Sequence, residues 1–380
     1  MRRYLFGGHI MKNQKYDIAA YVWPSYSGND PRTLIYWPEG MGEWQTVRDA
    51  KPKFPGHVEP RKPLWGYVNE ANPDIMEMQI NTAVRHGVNV FIYDWYWYDN
   101  RPFLENCLDE GFLGAPNNNL MQFYLMWANH DGGYLWDKRN SHDLNTVIWE
   151  GKADRRKFET ICNRIIEKYF SRPNYYKING KPVFSVFDIQ NLVSGFGGIQ
   201  ETRDAFAQFD KLSSDAGYRG VHFQLTMWGD HATYLPDGTR MQDSALAPLL
   251  GFSSFTNYQF CQITDIKRDY GAILEDVKKV WDKFASYGIT YIPHISVGWD
   301  NNARFYKYND DIITGNTPEK IEEAFRAVKN FLDAHQEIPQ LVTVNSWNEW
   351  TEGGYLQPDT IYGYKYLEAI RRVFTDRKPT

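Results

Sequence analysis

Along the chain, short runs of apolar, β-branched and aromatic residues alternate with longer stretches in which apolar positions return every three or four residues. That alternation predicts repeated strand–helix units around a parallel sheet. Eight strands are expected, at 17–22, 88–94, 121–128, 183–188, 221–228, 252–258, 291–297 and 341–347. Helices are expected at 73–86, 101–111, 154–170, 200–216, 271–287, 318–335 and 361–374, with a short, weakly helical crossover at 245–250. Asn72-Pro73 and Thr317-Pro318 place a capping side chain before a proline at the first helical position. Gly87, Gly217 and Gly288 follow predicted helix ends, where a left-handed residue stops a helix.

Eight such pairs fit a single (β/α)8 barrel over residues 15–376, preceded by an extension at 1–14. In such a barrel, functional groups come from the C-terminal ends of strands and the loops after them. Polar and aromatic residues gather there: Trp23, Asp94 to Asp99, Trp127 to Asp131, Asp188, Trp228, Tyr258, Trp299 to Asn302, and Trp347 to Trp350. The loop over 23–72 is far longer than an ordinary connection and is expected to act as a lid or binding loop.

The last strand runs into Asn345-Ser346-Trp347-Asn348-Glu349-Trp350-Thr351-Glu352-Gly353-Gly354. If the chain turns after Trp347, a spacing of three brings Glu349 and Glu352 to one side. Two carboxyl groups flanking one bond, one protonated and one ionised, are what glycoside cleavage requires. Mutual repulsion and water-excluding indole walls would separate their pKa values. The competing role for such loop carboxylates is to cap a helix or pair with arginine.

Aromatic residues make up 16% of the 380, with 14 Trp, 26 Tyr and 22 Phe, which suits a cleft that receives the apolar faces of sugars. A net charge of −5 without a basic stripe argues against nucleic acid as a partner. Cys107, Cys162 and Cys261 have neither the number nor the spacing for a disulfide framework or a zinc site. Asp188, Asp230 and Asp300 are the best grouping for a cation at the mouth, but no recognised metal spacing accompanies them, and neither metal nor cofactor is expected. No apolar run approaches a membrane span, and the basic N-terminus lacks an export signal's apolar core. As written, the chain reads as cytoplasmic; the second methionine at Met11 leaves a periplasmic location open should the start be misassigned.

Several stretches resemble glycoside hydrolase family 99 and its WbsX-like relatives. They are Tyr16 to Tyr21, Gly42-Glu43-Trp44, Lys51 to His57, Pro60 to Pro63, Val90 to Trp97, Met126 to Asn129, Asn345 to Gly353, and Leu356 to Asp359. The Trp-Asn-Glu-Trp-x-Glu-Gly stretch is the most specific. The resemblance implies a retaining α-glycosidase, possible on α-mannosides, in which Glu349 deprotonates the substrate's 2-hydroxyl. That oxygen then closes on the anomeric carbon, while Glu352 serves as acid and then base. It also implies a tyrosine near the acid, for which Tyr258 is the candidate. The loops at 132–150 and 235–248 have no match in the family.

The expected catalytic pair is therefore Glu349 and Glu352, acting on an oligo- or polysaccharide. Substrate contacts are expected from Tyr21, Trp23, Asp94, Trp95, Tyr96, Trp127, Asn129, Trp228, Tyr258, Trp299, Asp300, Trp347, Asn348 and Trp350. For the tryptophans the competing role is to seal the barrel, for Asp94 and Asp300 to bond turns, and for Asn129 and His130 to pack under the barrel rim with His130 satisfied by a neighbour. His57 and Lys51 are lid candidates against a plainly solvated loop. Two other functions remain in view: a WbsX-like glycosyltransferase of surface polysaccharide synthesis, which needs a phosphate cradle that the sequence does not display, and a non-catalytic carbohydrate-binding barrel.

Overall fold

A computed structural model describes residues 15–375; the expected extension at 1–14 and residue 376 lie outside the described residues. Eight parallel strands follow one another around a ring: β1 Asp17–Val22, β2 Val90–Tyr98, β3 Gln122–Trp127, β4 Lys181–Val186, β5 His222–Thr226, β6 Ser254–Thr256, β7 in two pieces, Thr290–Tyr291 and His294–Ser296, and β8 Leu341–Asn345. The first piece of β7 pairs with β6, the second with β8, and β8 with β1, so the ring closes through β7. The break falls at Ile292 and Pro293, where proline has no N–H to give the ladder. Ile292 N–H still donates to Phe255 O at 2.8 Å, and Pro293 O accepts Thr343 N–H at 3.1 Å. The fold is the predicted single (β/α)8 barrel.

Helices on the outside bury the second face of each strand, so the strands read as nearly continuous apolar runs. Inside the ring the polar side chains answer one another: Ser185 and Thr226 at 2.9 Å, Thr256 and Thr343 at 2.7 Å, Tyr124 and Gln224 at 3.1 Å. Buried polar groups are tolerated when paired in this way.

Most predicted helices are present with small shifts: Pro73–Arg85, Arg155–Ile165 continued by the wider turns of Ile166–Phe170, Ile199–Asp215, Tyr270–Ala285, Pro318–Ala334 and Lys365–Phe374. The weak crossover forms a helix over Asp243–Leu250, and an additional helix, Ile189–Phe196, starts on the Asp188 cap. Asn72 caps through its side chain, accepting from Asp74 N–H at 2.8 Å, whereas Thr317 makes no side-chain capping bond. Gly87 and Gly217 take φ of +94°, as a helix stop requires; Gly288 does not adopt a positive φ.

The helix expected at 101–111 is a correction. β2 continues to Tyr98, turns at Asp99 and Asn100 with φ of 50° and 57°, and returns antiparallel as Arg101–Phe103. Only Cys107–Phe112 is helical, as one wide turn. The loop over 23–72 holds a short helix, Trp44–Arg48, and packs across the barrel mouth, with Trp44 4.1 Å from the Tyr26 ring and 5.8 Å from Trp350.

Candidate active site

β8 ends at Asn345, two residues earlier than expected, and the chain forms a tight hairpin of Asn348–Glu349 against Gly354–Tyr355 with a 3-10 turn, Trp350–Glu352, at its tip. Ser346 builds this turn: its hydroxyl accepts the N–H groups of Asn348 at 3.1 Å and Glu349 at 2.7 Å, and donates to Gly354 O at 2.6 Å. Gly353, with φ of +65°, closes the turn. The spacing of three across the turn points both glutamates to one cavity.

They meet there at a single guanidinium. Arg304 Nη1 donates to Glu352 Oε1 at 2.5 Å, and Nη2 approaches Glu349 Oε2 at 3.4 Å. The same arginine makes a two-point pair with Glu43 from the long loop, at 2.8 and 3.2 Å. Glu43 also accepts from the Trp23 indole N–H and from Ser25 Oγ at 3.3 Å. Neither Arg304 nor Glu43 was singled out from sequence as a site residue. A buried charge is stable only with its partners in place, and here the partners lie 261 residues apart.

On the other side of Glu349 stands Tyr258, whose hydroxyl lies 3.2 Å from Glu349 Oε1 and 2.8 Å from Asp94 Oδ2. A phenol has one proton to give, and the shorter contact favours Asp94 as its acceptor over Glu349. Burial raises the Asp94 carboxyl well above the usual range, and Glu352 adds repulsion. Tyr258 bonds Asp94 and Glu349 directly and lines the same cavity as Glu352, the residue beside which it was expected.

Burial also raises both glutamates. Glu349 is pushed well above the ordinary carboxylate value by desolvation and then by Glu352, with Arg304 opposing. Glu352 is raised by desolvation, against the pull of Arg304. Two carboxyls beside one guanidinium form a coupled pair. Glu349, the one farther from the guanidinium, is raised the more strongly of the two.

The cavity has a volume of about 240 Å³. Of the predicted residues, Trp23, Asp94, Tyr96, Trp228, Tyr258, Trp299, Glu349 and Glu352 line it. Its wall is completed by Met126, Ala128, His130, Leu135, Trp136, Phe187, Gln262 and Arg304. Asp94 Oδ1 and Glu352 Oε2 are buried without a hydrogen-bond partner. Orphaned carboxyl oxygens on one cavity are what hydroxyl groups of a ligand would satisfy.

The remaining expectations for substrate contact are corrected by where the side chains lie. Trp95 and Trp127 face the helical layer: the Trp95 indole donates to Glu105 at 3.0 Å, and Trp127 stacks on Phe158 at 5.6 Å. Trp347 donates outward to Gln79 at 2.7 Å, and Trp350 stacks on Tyr355 at 3.8 Å. Tyr21 lies beneath the cavity, its ring 4.8 Å from Tyr258 and its hydroxyl donating to Asn257 O at 3.2 Å. Asn129 uses both ends of its amide on the Asp188 backbone at 2.7 Å. Asn348 spends its amide on Trp23 N–H and O and on Glu70, each at 2.8 Å.

Asp300 is held by His57 Nε2 at 2.8 Å and Arg61 Nη2 at 3.0 Å, fastening the long loop to the loop that carries Arg304. His57, Glu59 and Asp300 have the spacing of a cation site, but Arg61 already supplies the positive charge to both carboxylates. Asp188 caps its helix and Asp230 accepts from Ser244 and Tyr287, so the three aspartates considered for a cation do not converge. Among the described residues, no helix is long and apolar enough to cross a membrane.

A family model described as glycosyltransferase WbsX matches residues 18–370. Two curated relatives, each called protein WxcX, come from two strains of Xanthomonas campestris pv. campestris, each 24% identical over 350 residues. That match takes in 91% of this chain and 48% of theirs, so the chain spans about half the length of the curated relatives it matches. Among solved structures, the family 99 endo-α-mannosidase of Bacteroides thetaiotaomicron is 15% identical, with a TM-score of 0.57 over 93% of this chain and 95% of its own. A glycoside hydrolase-like protein is 16% identical, with a TM-score of 0.59 over 98% of each chain. Likeness at these identities speaks for the fold alone.

Proposed function

The chain belongs to the family described as glycosyltransferase WbsX, and from that premise and the chemistry of its cavity we propose that it hydrolyses an α-glycosidic bond of an oligo- or polysaccharide. The observation that carries this reading is the convergence of Glu349 and Glu352, both with raised pKa values, on one aromatic-walled cavity. Raised and coupled carboxyls supply an acid and a base at neutral pH. The cation lining the cavity, Arg304, is already engaged by three carboxylates. A diphosphate-linked sugar donor would meet repulsion there and no free cradle. This favours hydrolysis over transfer from an activated donor.

The reaction proposed is retaining, with Glu349 taking the proton of the substrate's 2-hydroxyl and Glu352 protonating the departing oxygen. Burial raises Glu349 more strongly than Glu352, the reverse of the order the first step needs. Binding corrects this: a 2-hydroxyl donating to Glu349 stabilises its ionised form, and the pair's proton passes to Glu352. The 2-oxygen then attacks the anomeric carbon as the glycosidic bond breaks, and the leaving oxygen takes the proton from Glu352. Water, deprotonated by Glu352, opens the anhydro sugar, and Glu349 returns the proton to the 2-oxygen. An α-mannoside is the first substrate to test, on the family resemblance.

A glycan panel with mass-spectrometric product analysis tests the reading. Glu352→Gln is expected to lose roughly a thousandfold on natural glycans and much less on aryl glycosides whose leaving group needs no acid. Glu349→Gln is expected to lose activity on both. Wild-type turnover in either variant on natural glycans would refute the assignment.

A further inference from the structure

Beside the candidate site, on the other side of Trp136, the same loops enclose a second cavity of about 270 Å³. Trp136 lines the first cavity, and the residues that follow it, Asp137, Lys138 and Arg139, line the second. Arg304 and Tyr306 divide in the same way. Tyr36 forms part of the second wall and packs edge-on against Trp136, with ring centres 5.4 Å apart. A chain held in the first cavity therefore has the second as its neighbour.

The second cavity is rich in positive charge. In the second, Asp137 is taken by Arg139 at 2.8 and 3.0 Å, and Asp49 by Arg48 at 2.8 and 2.9 Å. That leaves Lys51, Lys53 and Lys138, none of which has an ion-pair contact among the described residues. Lys53 donates to Phe305 O at 2.6 Å and Tyr306 O at 2.9 Å, which holds its ammonium over the loop beyond Arg304. Lys138 is half-buried with its ammonium 5.7 Å from the centre of the Tyr306 ring. Burial and the charge of Lys53 press the Lys138 pKa down, against the weaker pull of Asp49 and Glu59. The Tyr36 hydroxyl is buried without a partner. Lys51 is exposed and Lys53 and Lys138 are partly buried, so three ammonium groups around one hollow are open to an entering anion.

We propose that this second cavity seats an anionic substituent of the glycan, a uronate carboxylate or a phosphate, on a sugar neighbouring the one held at Glu349 and Glu352. The proposal rests on the glycan reading above and narrows the substrate to acidic polysaccharide. Lysine suits this task because its ammonium neutralises either anion as a point charge, without fixing a planar geometry.

The test titrates the full chain with an oligouronide, the same oligouronide after reduction of its carboxyls to alcohols, a phosphorylated oligosaccharide, and UDP-glucose. Wild type, Lys138→Gln and Lys51→Gln are compared by calorimetry, and melting temperatures check the fold of each. The oligouronide or the phosphorylated glycan is expected to bind at least about tenfold more tightly than the reduced, neutral form at low salt. In Lys138→Gln that preference falls toward unity. Which of the two acidic probes prevails identifies the anion. Binding needs no turnover, so this result stands even if no glycan is cut, which would count against the hydrolase reading alone. Equal affinity for acidic and neutral glycans, failure of every acidic probe to bind at millimolar concentration, or an unchanged preference in both variants would overturn the proposal. So would lysine-dependent binding of UDP-glucose tighter than that of any glycan, which would give the cavity to an activated donor.

Discussion

Arg304 and Glu43 face each other in a two-point ion pair at 2.8 and 3.2 Å, with 2% of the arginine side chain and none of the glutamate's exposed. The pair ties the long first loop to the loop after β7 and sets the guanidinium against Glu349 and Glu352. Removing one partner strands a buried charge. Glu43→Ala is expected to lower the unfolding free energy by about 3–5 kcal/mol, read from denaturant midpoints, and to reduce kcat on any cleaved glycan. A variant with unchanged stability and rate would mean that the pair neither holds the loop nor positions the guanidinium.

Asn348 is a positioning residue in the same sense. Its amide bonds Trp23 N–H and O and Glu70, each at 2.8 Å, so it fixes the hairpin of Glu349 relative to the first strand's end. Asn348→Ala leaves three buried groups unanswered and is expected to cost about 2–4 kcal/mol. Because the side chain lies outside the cavity, kcat should fall more than KM rises. A change confined to KM would instead indicate that Asn348 touches substrate.

What the sequence made legible depended on period. The barrel strands could be placed because both of their faces are buried, but the alternation within them decides which residues reach the mouth. On β2, Asp94 and Tyr96 line the cavity while Trp95 turns to Glu105; at the end of β3, Met126 and Ala128 do so while Trp127 turns to Phe158. Naming consecutive residues as contacts therefore included some that face the helices. Asp99-Asn100 carried a signal for the hairpin that replaced the predicted helix, since these residue types tolerate positive φ at a two-residue turn. Glu43 and Arg304 were not legible as a pair, because their meeting depends on how two distant loops fold over the barrel.

Stability should fall in mild acid because two barrel histidines are held neutral. Burial lowers His222 to about 4 and His294 to about 3, against 6.5 when exposed. The unfolded chain then binds the extra protons, so stability present above pH 6.5 is lost as pH falls toward and through those lowered values, by about 3 kcal/mol for His222 and about 5 kcal/mol for His294. Denaturant unfolding at pH 8, 5 and 4 measures the slope, and His222→Gln should flatten it. A slope unaltered by that substitution would remove His222 from the account.

Repulsion between the two site carboxyls makes a further prediction. Glu352 is the second largest cause raising Glu349, after desolvation. In Glu352→Gln the Glu349 carboxyl should titrate at lower pH than in wild type, measured by carboxyl-region difference infrared spectroscopy with Glu349→Gln as the reference. An unmoved titration would mean that the two glutamates do not share a proton.

Trp228 is 46% exposed and lies between the candidate cavity and a further hollow of about 200 Å³ lined by Gln190, His231 and Asp243. Its ring meets Phe187 edge-on at 5.0 Å. As a stacking face for a sugar, its loss in Trp228→Ala is expected to raise KM about tenfold with little change in kcat. The reverse pattern would place it in the chemistry of the bond instead.

The claim that Glu349 and Glu352 together hydrolyse a glycosidic bond is tested most directly in water enriched in oxygen-18. Wild-type enzyme acting on a cleaved member of the glycan panel should place one labelled oxygen at each new reducing end, and each glutamine variant should slow that labelling by roughly a thousandfold. Products without label, formed instead from an added sugar donor, or full labelling rates in both variants, would contradict it.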